Sequence, residues 1–149
     1  MKPLLSQLES KHIMIVEDSE DDYEATRRAL KKVGLLNNIH RCESGQLALN
    51  YLNNTDNPSP GLILLDLNMP GLNGKKTLEA IKTQTQLRCI PVIILTTSSD
   101  AEDIRYCYDM GANSYVQKPV NYESLIDAMQ RMKDYWFETS ILPKEVRRA

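Results

Sequence analysis

The stretch Leu62–Gly74, with the sequence LILLDLNMPGLNG, decides the fold of this 149-residue chain. It opens with four consecutive apolar residues, reaches a carboxylate at Asp66, and continues as a loop rich in Pro, Gly and Asn. A short apolar run without alternation is typical of a strand that is covered on both faces, as in a parallel sheet. The sequence therefore predicts a buried parallel strand that ends at Asp66.

Four further runs are predicted to be strands of the same sheet. In chain order they are His12–Val16, Ile39–Cys42, Pro91–Leu95 and Ser114–Gln117. The segments between them have the apolar spacing of amphipathic helices. The predicted helices cover residues 20–33, Ser44 to about Asn53, Gly74–Gln84, Asp100–Met110 and Asn121 to about Phe137. Because parallel strands joined by helices close right-handedly, the fold class is α/β, with a doubly wound five-stranded parallel sheet.

The ends of the predicted helices carry residues that start or stop a helix. Ser44, Asp100 and Asn121 are N-cap candidates, because their side-chain oxygens can accept hydrogen bonds from the N–H groups of a first turn. Gly34 and Gly111 follow two of the helices as stops.

Length and composition limit the class of protein. With 42% hydrophobic and 26% charged residues, the chain is expected to form one domain. Its core covers about residues 12–137, with an N-terminal extension over 1–11 and a C-terminal tail over 138–149. No apolar run is long enough for a membrane span, and a net charge of −2 gives no general attraction to nucleic acid.

The N-terminal residues and the cysteines favour a cytoplasmic location. Residues 1–11 lack the apolar run and cleavage site of a secretory signal. Cys42, Cys89 and Cys107 have spacings that fit neither a disulfide framework nor a zinc site, and all three are predicted to be small buried apolar residues. No further domain is expected after the last helix, so the protein is expected to act through contacts with other proteins.

Charged and hydroxyl side chains follow the predicted strands. They are Glu17 and Asp18 after the first strand, Asp66 after the third, Thr96 at the end of the fourth and Lys118 after the fifth. Ligands of open α/β sheets bind at the carboxyl ends of the strands, so these side chains are expected to converge. Three converging carboxylates repel one another unless a cation lies among them, and Mg²⁺ prefers such oxygen ligands.

A hydroxyl and an ammonium beside a bound metal suit phosphoryl transfer. They can hold the phosphoryl oxygens while a carboxylate attacks phosphorus, a reaction that depends mainly on positioning and charge neutralisation. Aspartate is an established nucleophile of this kind.

Four segments, IMIVEDSEDD, LILLDLNMPGLNG, VIILTTSSD and YVQKPV, resemble the signature regions of response-regulator receiver domains. They occur in the order and spacing of that family, and the resemblance covers about residues 12–135. It implies the flavodoxin-like receiver fold and a stand-alone two-component response regulator that receives a phosphoryl group from a sensor histidine kinase. Such a protein is a phosphoacceptor rather than an enzyme, although it can catalyse its own phosphorylation and dephosphorylation.

The resemblance implies a role for each acidic residue of the predicted site. Asp66 is the expected phosphoacceptor and a ligand of Mg²⁺. Asp18 is expected to bind the metal directly, as is the backbone carbonyl of Asn68. Glu17 is expected to act on the metal through water.

The remaining site residues are expected to bind the phosphoryl group and to change conformation when it is present. Lys118 and Thr96 are expected to contact the phosphoryl oxygens. Thr96 and Tyr115 form the expected switch, in which the tyrosine reorients when the threonine moves toward the phosphoryl group. The bond between Lys118 and Pro119 is typically cis in the family, and a cis bond is therefore expected here.

Two further segments, NNIHRCESG and DYWFETSILP, resemble the phytochrome-associated response regulators of cyanobacteria. This resemblance implies a light-sensing kinase of the phytochrome type as the partner.

Three alternative functions fit less well. A dinucleotide-binding enzyme needs a glycine-rich turn after the first strand, where this sequence has EDSEDD. A phosphatase of the haloacid-dehalogenase type needs two aspartates as DxD after that strand, whereas here Asp66 and Asn68 follow the third, and an amide cannot transfer a proton. A phosphorylation-silent docking scaffold remains the alternative, although every residue required for phosphorylation is present.

The last predicted helix carries more apolar area than one core-facing stripe. The stripe consists of Leu125, Met129, Met132 and Trp136. The additional apolar residues are Tyr122, Ile126, Tyr135 and Phe137. Because exposed apolar patches often mark interfaces, we expect a homodimer. The resemblance to receiver domains implies that the contact uses the fourth helix, fifth strand and fifth helix, the output face of that family.

Four other ionisable residues are given no function. Asp21 and Asp22 are expected to be solvated charges at the start of a helix. His12 and His40 have no partner at ligand spacing in the sequence.

Overall fold

Five parallel strands form the sheet of the computed structural model, which describes residues 11–142. The strands are β1 (Ile13–Val16), β2 (Ile39–Cys42), β3 (Leu62–Leu65), β4 (Val92–Thr96) and β5 (Ser114–Gln117). Their order in the sheet is β2-β1-β3-β4-β5, and all four neighbouring pairs are parallel. The predicted doubly wound sheet is confirmed.

Each strand is followed by a helix, as predicted. The α-helices are α1 (Glu20–Lys32), α2 (Gly45–Asn53), α3 (Gly74–Thr83), α4 (Ala101–Asp109) and α5 (Tyr122–Lys133). Ser44, Asp100 and Asn121 each accept a hydrogen bond from a backbone N–H of the first turn, so the three predicted N-caps are confirmed. Gly34 and Gly111 have positive φ angles of 85° and 101°, the backbone conformation in which a glycine ends a helix.

The core lies on both faces of the sheet. In β3, Ile63 and Leu65 belong to the apolar cluster on one face, whereas Leu62 and Leu64 belong to the cluster on the other. All four side chains are buried. The uninterrupted apolar run therefore reflects a strand that packs against helices on both sides.

The end of the last helix differs from the prediction. The α-helix stops at Lys133, and residues Asp134–Thr139 form a π-helical turn. This turn is closed by hydrogen bonds across five residues, one of which runs from the Ser140 N–H to the Tyr135 carbonyl. The wider winding buries Phe137 and leaves Trp136 only partly buried, so the predicted core role of Trp136 belongs mainly to Phe137.

Two smaller expectations are wrong. Cys89 is exposed, because it lies in the connection between α3 and β4 rather than on a packed face, whereas Cys42 and Cys107 are buried as predicted. The bond between Lys118 and Pro119 is trans, since residues 11–142 contain no cis peptide bond. Trans is the more stable isomer of most X–Pro bonds.

Two other expectations have no structural test. Residues 1–10 of the predicted extension and residues 143–149 of the predicted tail lie outside the described part of the chain.

Between residues 11 and 142, no helix has the length and apolar character needed to cross a membrane.

Gly74 sets the distance between α3 and the end of β3. A Cβ atom at this position would lie 2.1 Å from the backbone oxygen of Asp66 and 2.5 Å from the Cα atom of Leu67. The Gly74 N–H also donates to the Leu67 carbonyl at 3.1 Å. The start of α3 therefore packs directly on the backbone that carries Asp66, and a larger residue would displace one of the two.

We expect Gly74→Ala to lower the free energy of unfolding by at least about 2 kcal/mol, because the overlap involves backbone atoms that cannot rotate away. The measurement is urea denaturation at neutral pH. Gly71→Ala is the control, since its Cβ would meet nothing within 4 Å. That variant should lose only about 1 kcal/mol, from its positive φ angle. Equal losses in both variants would contradict the close approach at Gly74.

Candidate functional site

Three carboxylates converge at the carboxyl edge of the sheet. Glu17 and Asp18 follow β1, and Asp66 follows the neighbouring strand β3. Each offers one oxygen, and the three oxygens lie within 4.8 Å of one another. The convergence predicted from the strand ends is thus confirmed. Glu17 and Asp66 are buried, whereas Asp18 is exposed and faces solvent.

Lys118 brings a positive charge to this group. Its Nζ atom lies 2.5 Å from Glu17 Oε1, 3.0 Å from Asp22 Oδ2 and 3.9 Å from Asp66 Oδ1. Its backbone N–H donates to the Thr96 carbonyl at 2.6 Å, which joins the ends of β4 and β5. The ammonium is therefore shared by three carboxylates and lies farthest from Asp66.

Asp22 is a site residue that the sequence analysis missed. It was expected to be a solvated helix-start charge, but its carboxylate forms an ion pair with Lys118. The first turn of α1 stands over the carboxyl edge of the sheet, so a side chain on that turn reaches the site. The signal in the sequence was the position of Asp22 in the first turn after a strand that ends in site residues.

Burial and repulsion shape the ionisation of the site. Burial, together with the nearby charge of Asp66, raises the pKa of Glu17 to about 7, although contact with Lys118 acts against the rise. Burial acts to lower the pKa of Lys118, but the pairing with Glu17 and the nearby Asp66 outweigh it and raise that pKa. The carboxylates therefore carry more negative charge than the single ammonium balances.

The donor set fits a hard divalent cation. All three side chains offer carboxylate oxygens, the ligand type that Mg²⁺ and Mn²⁺ accept. A cation among oxygens within 4.8 Å of one another would relieve the mutual repulsion of these carboxylates. The exposed side of Asp18 leaves room for the water molecules that Mg²⁺ usually keeps.

Thr96 and Asn68 lie beside the carboxylates. Thr96 is fully buried at the end of β4, and its Oγ1 accepts long hydrogen bonds, each 3.4 Å, from the side-chain amide of Asn68 and the backbone N–H of Ser98. The hydroxyl and the Asn68 amide thus share one side of the site. Thr96 ends β4, as the strand pattern predicted.

Tyr115 is linked to the loop that follows Thr96. Its hydroxyl donates to the Ser98 carbonyl at 2.9 Å, and its backbone N–H donates to the Tyr108 hydroxyl at 3.1 Å. The Ser98 hydroxyl in turn donates to Asp103 on α4 at 2.6 Å. A continuous set of hydrogen bonds therefore connects Tyr115, the loop between β4 and α4, and the first turn of α4. Its role as a switch stays a prediction.

Comparison with known proteins agrees with this geometry. The response regulator receiver domain family matches residues 13–130. The probable methanogenesis regulatory protein FilR2 of Methanothrix harundinacea is 35% identical over 127 residues, which cover 83% of this chain and 82% of that protein. Response regulator Rcp1 of Synechocystis sp. is 34% identical over 137 residues, which cover 89% of this chain and 93% of that protein.

Solved structures of two similar proteins superpose closely on this fold. The Mn²⁺-bound form of Rcp1 has a TM-score of 0.83 at 34% identity, covering 90% of this chain and 99% of that one. The phosphorylated cyanobacterial phytochrome response regulator RcpA has a TM-score of 0.84 at 34% identity, with the same coverage. Sequence, fold and converging carboxylates agree, and the chain belongs to the response regulator receiver domain family.

Proposed function

We propose that this response regulator accepts a phosphoryl group on Asp66 from the phosphohistidine of a sensor histidine kinase. The observation that supports it best is the placement of Asp66. Its buried carboxylate lies beside those of Glu17 and Asp18, and the ammonium of Lys118 is 3.9 Å away. A nucleophile that borders a cation site and has an ammonium nearby has the surroundings that phosphoryl transfer requires.

In the transfer, an oxygen of Asp66 attacks phosphorus while the bond from phosphorus to the histidine nitrogen breaks. Lys118 pairs with a phosphoryl oxygen, and the hydroxyl of Thr96 donates to another. Attack by water later releases inorganic phosphate and restores the carboxylate. In this proposal the protein itself promotes both steps, because the stabilising groups belong to its own chain.

Receiver domains use a divalent metal ion, and Mg²⁺ is the ion proposed here. Asp18, Asp66 and the backbone carbonyl of Asn68 would hold it, with Glu17 acting through water. When bound, the ion offsets the charge of the carboxylates and of the phosphoryl oxygens. The three carboxylate oxygens within 4.8 Å of one another support a cation requirement in this cluster.

Phosphorylation would act on the rest of the molecule through Thr96 and Tyr115. A hydroxyl drawn toward the phosphoryl group pulls on the loop that carries Ser98, which holds the Tyr115 hydroxyl. The proposed result is a changed surface around α4 and β5. The output is then a protein contact made through this surface.

The proposed kinase partner is of the phytochrome type. The similarity to RcpA, which is described as a cyanobacterial phytochrome response regulator, supports this choice. A cytoplasmic location belongs to the same proposal, because sensor kinases draw their phosphoryl groups from cytoplasmic ATP. A phosphorylation-silent scaffold is not favoured, since the acceptor, the cation site and the lysine are all in place.

The proposal also includes a homodimer through α4, β5 and α5. β5 is an edge strand of the sheet. A large side chain of an adjoining helix, Tyr108 on α4, is 51% exposed. Tyr135, just after α5, is 54% exposed. Exposed aromatic residues beside an unpaired edge support an interface.

We expect incubation with acetyl phosphate and Mg²⁺ to add one phosphoryl group to the protein, measured as intact mass after rapid quenching. Asp66→Asn should show no adduct, and neither should the wild type in the presence of EDTA. Asp21→Asn, an exposed acidic residue outside the site, is the matched control and should be phosphorylated normally. An adduct that persists in Asp66→Asn would place the acceptor elsewhere, and no adduct at all would favour the scaffold.

For the homodimer, we expect light scattering to give a larger mass when Mg²⁺ and beryllofluoride, a phosphoryl analogue, are present. Tyr108→Glu should weaken the association, because it places a charge in an apolar contact. Leu47→Glu is the control, because Leu47 is 51% exposed on α2, which packs on the opposite edge of the sheet. A monomer of unchanged mass under every condition would exclude this part of the proposal.

A further inference from the structure

The position of Lys118 differs from the one that phosphoryl transfer needs. To pair with a phosphoryl oxygen, the ammonium must lie next to Asp66. Instead, it lies 3.9 Å from Asp66 Oδ1 and in contact with Glu17 and Asp22. A phosphoryl group on Asp66 therefore competes with the Glu17 and Asp22 carboxylates for the ammonium.

The two carboxylates that hold Lys118 are not equivalent. Glu17 belongs to the group of three whose oxygens lie within 4.8 Å of one another, so a cation bound there offsets its charge directly. Asp22 stands outside that group. With a cation in the site, Asp22 is the carboxylate that keeps its full charge beside the ammonium.

Asp22 is also fixed in place. Its backbone N–H donates to the Oγ atom of Ser19 at 3.2 Å, the N-cap bond of α1, so the residue sits in the first, anchored turn of that helix. Because this backbone is anchored, the carboxylate can reach toward Asp66 only as far as a short side chain on that turn allows. Pairing with Asp22 and pairing with a phosphoryl group on Asp66 therefore compete for the same lysine.

From this geometry we propose that Asp22 is a positioning residue for Lys118, which holds the ammonium on the α1 side of the site and so weakens the binding of a phosphoryl group at Asp66. The inference rests on the proposed function. It means that Asp22 shifts the balance toward the unphosphorylated state. Removing its charge should free the lysine, tighten the binding of a phosphoryl analogue and lengthen the lifetime of the acyl phosphate.

The expected effect is moderate. The side chain of Asp22 is 48% exposed, whereas that of Lys118 is 11% exposed, so solvent screens the pair in part. Exposed and half-exposed ion pairs have small coupling energies. We therefore expect Asp22→Asn to lower the Kd for beryllofluoride, in saturating Mg²⁺, about threefold to fivefold.

Asp21→Asn provides a matched control for this titration. It removes the same charge from the same turn of α1, but Asp21 is exposed and forms no ion pair with any residue between 11 and 142. Its Kd should stay within about 1.5-fold of the wild type, because a distant surface charge is screened by solvent and salt. An equal decrease in both variants would mean a general field effect and would overturn the proposal.

The decisive variant pair is Lys118→Gln alone and combined with Asp22→Asn. If Asp22 acts by holding Lys118, its removal has no effect on the Kd once the lysine is absent. If Asp22→Asn changes the Kd equally in the wild type and in Lys118→Gln, Asp22 acts independently of Lys118 and the inference is overturned. An unchanged or higher Kd in Asp22→Asn alone would also overturn it. Thermal unfolding of each variant checks that α1 is intact.

Phosphorylation with acetyl phosphate distinguishes a failure of this inference from a failure of the proposed function on which it rests. If the wild type forms no adduct at Asp66, both the proposed function and the inference fail. If it forms one and the Asp22→Asn adduct hydrolyses more slowly, both are supported. If it forms one and the two lifetimes agree, the function stands and the role of Asp22 is wrong.

Discussion

The crowding of negative charge at one edge of the sheet is the constraint on which the site depends. Two of its three carboxylates, on Glu17 and Asp66, are buried, and the single ammonium of Lys118 is shared with a fourth acid, Asp22. Such a cluster is unfavourable without a counter-charge, because carboxylates at this distance repel one another. A divalent cation that binds there balances the charge. The cation and Lys118 then place positive charge around an incoming phosphoryl group.

The fold creates this crowding through strand order. β1 and β3 are neighbours at the centre of the sheet, and both are covered on each face, so the residues directly after them reach the same place. The hydrogen bond between the Lys118 N–H and the Thr96 carbonyl brings the ends of β4 and β5 to that edge. Gly74 lets α3 pack directly on the Asp66 backbone. The backbone contacts that stabilise this edge of the sheet therefore also position the side chains of the site.

Strands, caps and strand-end residues could be predicted because each depends on local sequence. An uninterrupted run such as Leu62–Leu65 has few alternatives to a doubly covered strand, and the residues directly after a parallel strand must lie at its carboxyl edge. The contact of Asp22 with Lys118 could not be predicted in this way, because an acid in a first helical turn is usually explained by the helix dipole. The burial of Phe137 depends on a π-helical turn, which a 3.6-residue period does not detect.

The most direct test of the charge balance is the binding of Mn²⁺, followed by electron paramagnetic resonance of the free ion. We expect one site in the wild type and at least a tenfold loss of affinity in Asp18→Asn, since direct ligands dominate binding and even outer-shell partners contribute about tenfold or more. Asp21→Asn should bind as the wild type does. If Asp18→Asn kept the wild-type affinity, the three carboxylates would not form the cation site, and the account of Asp66 as a metal-assisted acceptor would be wrong.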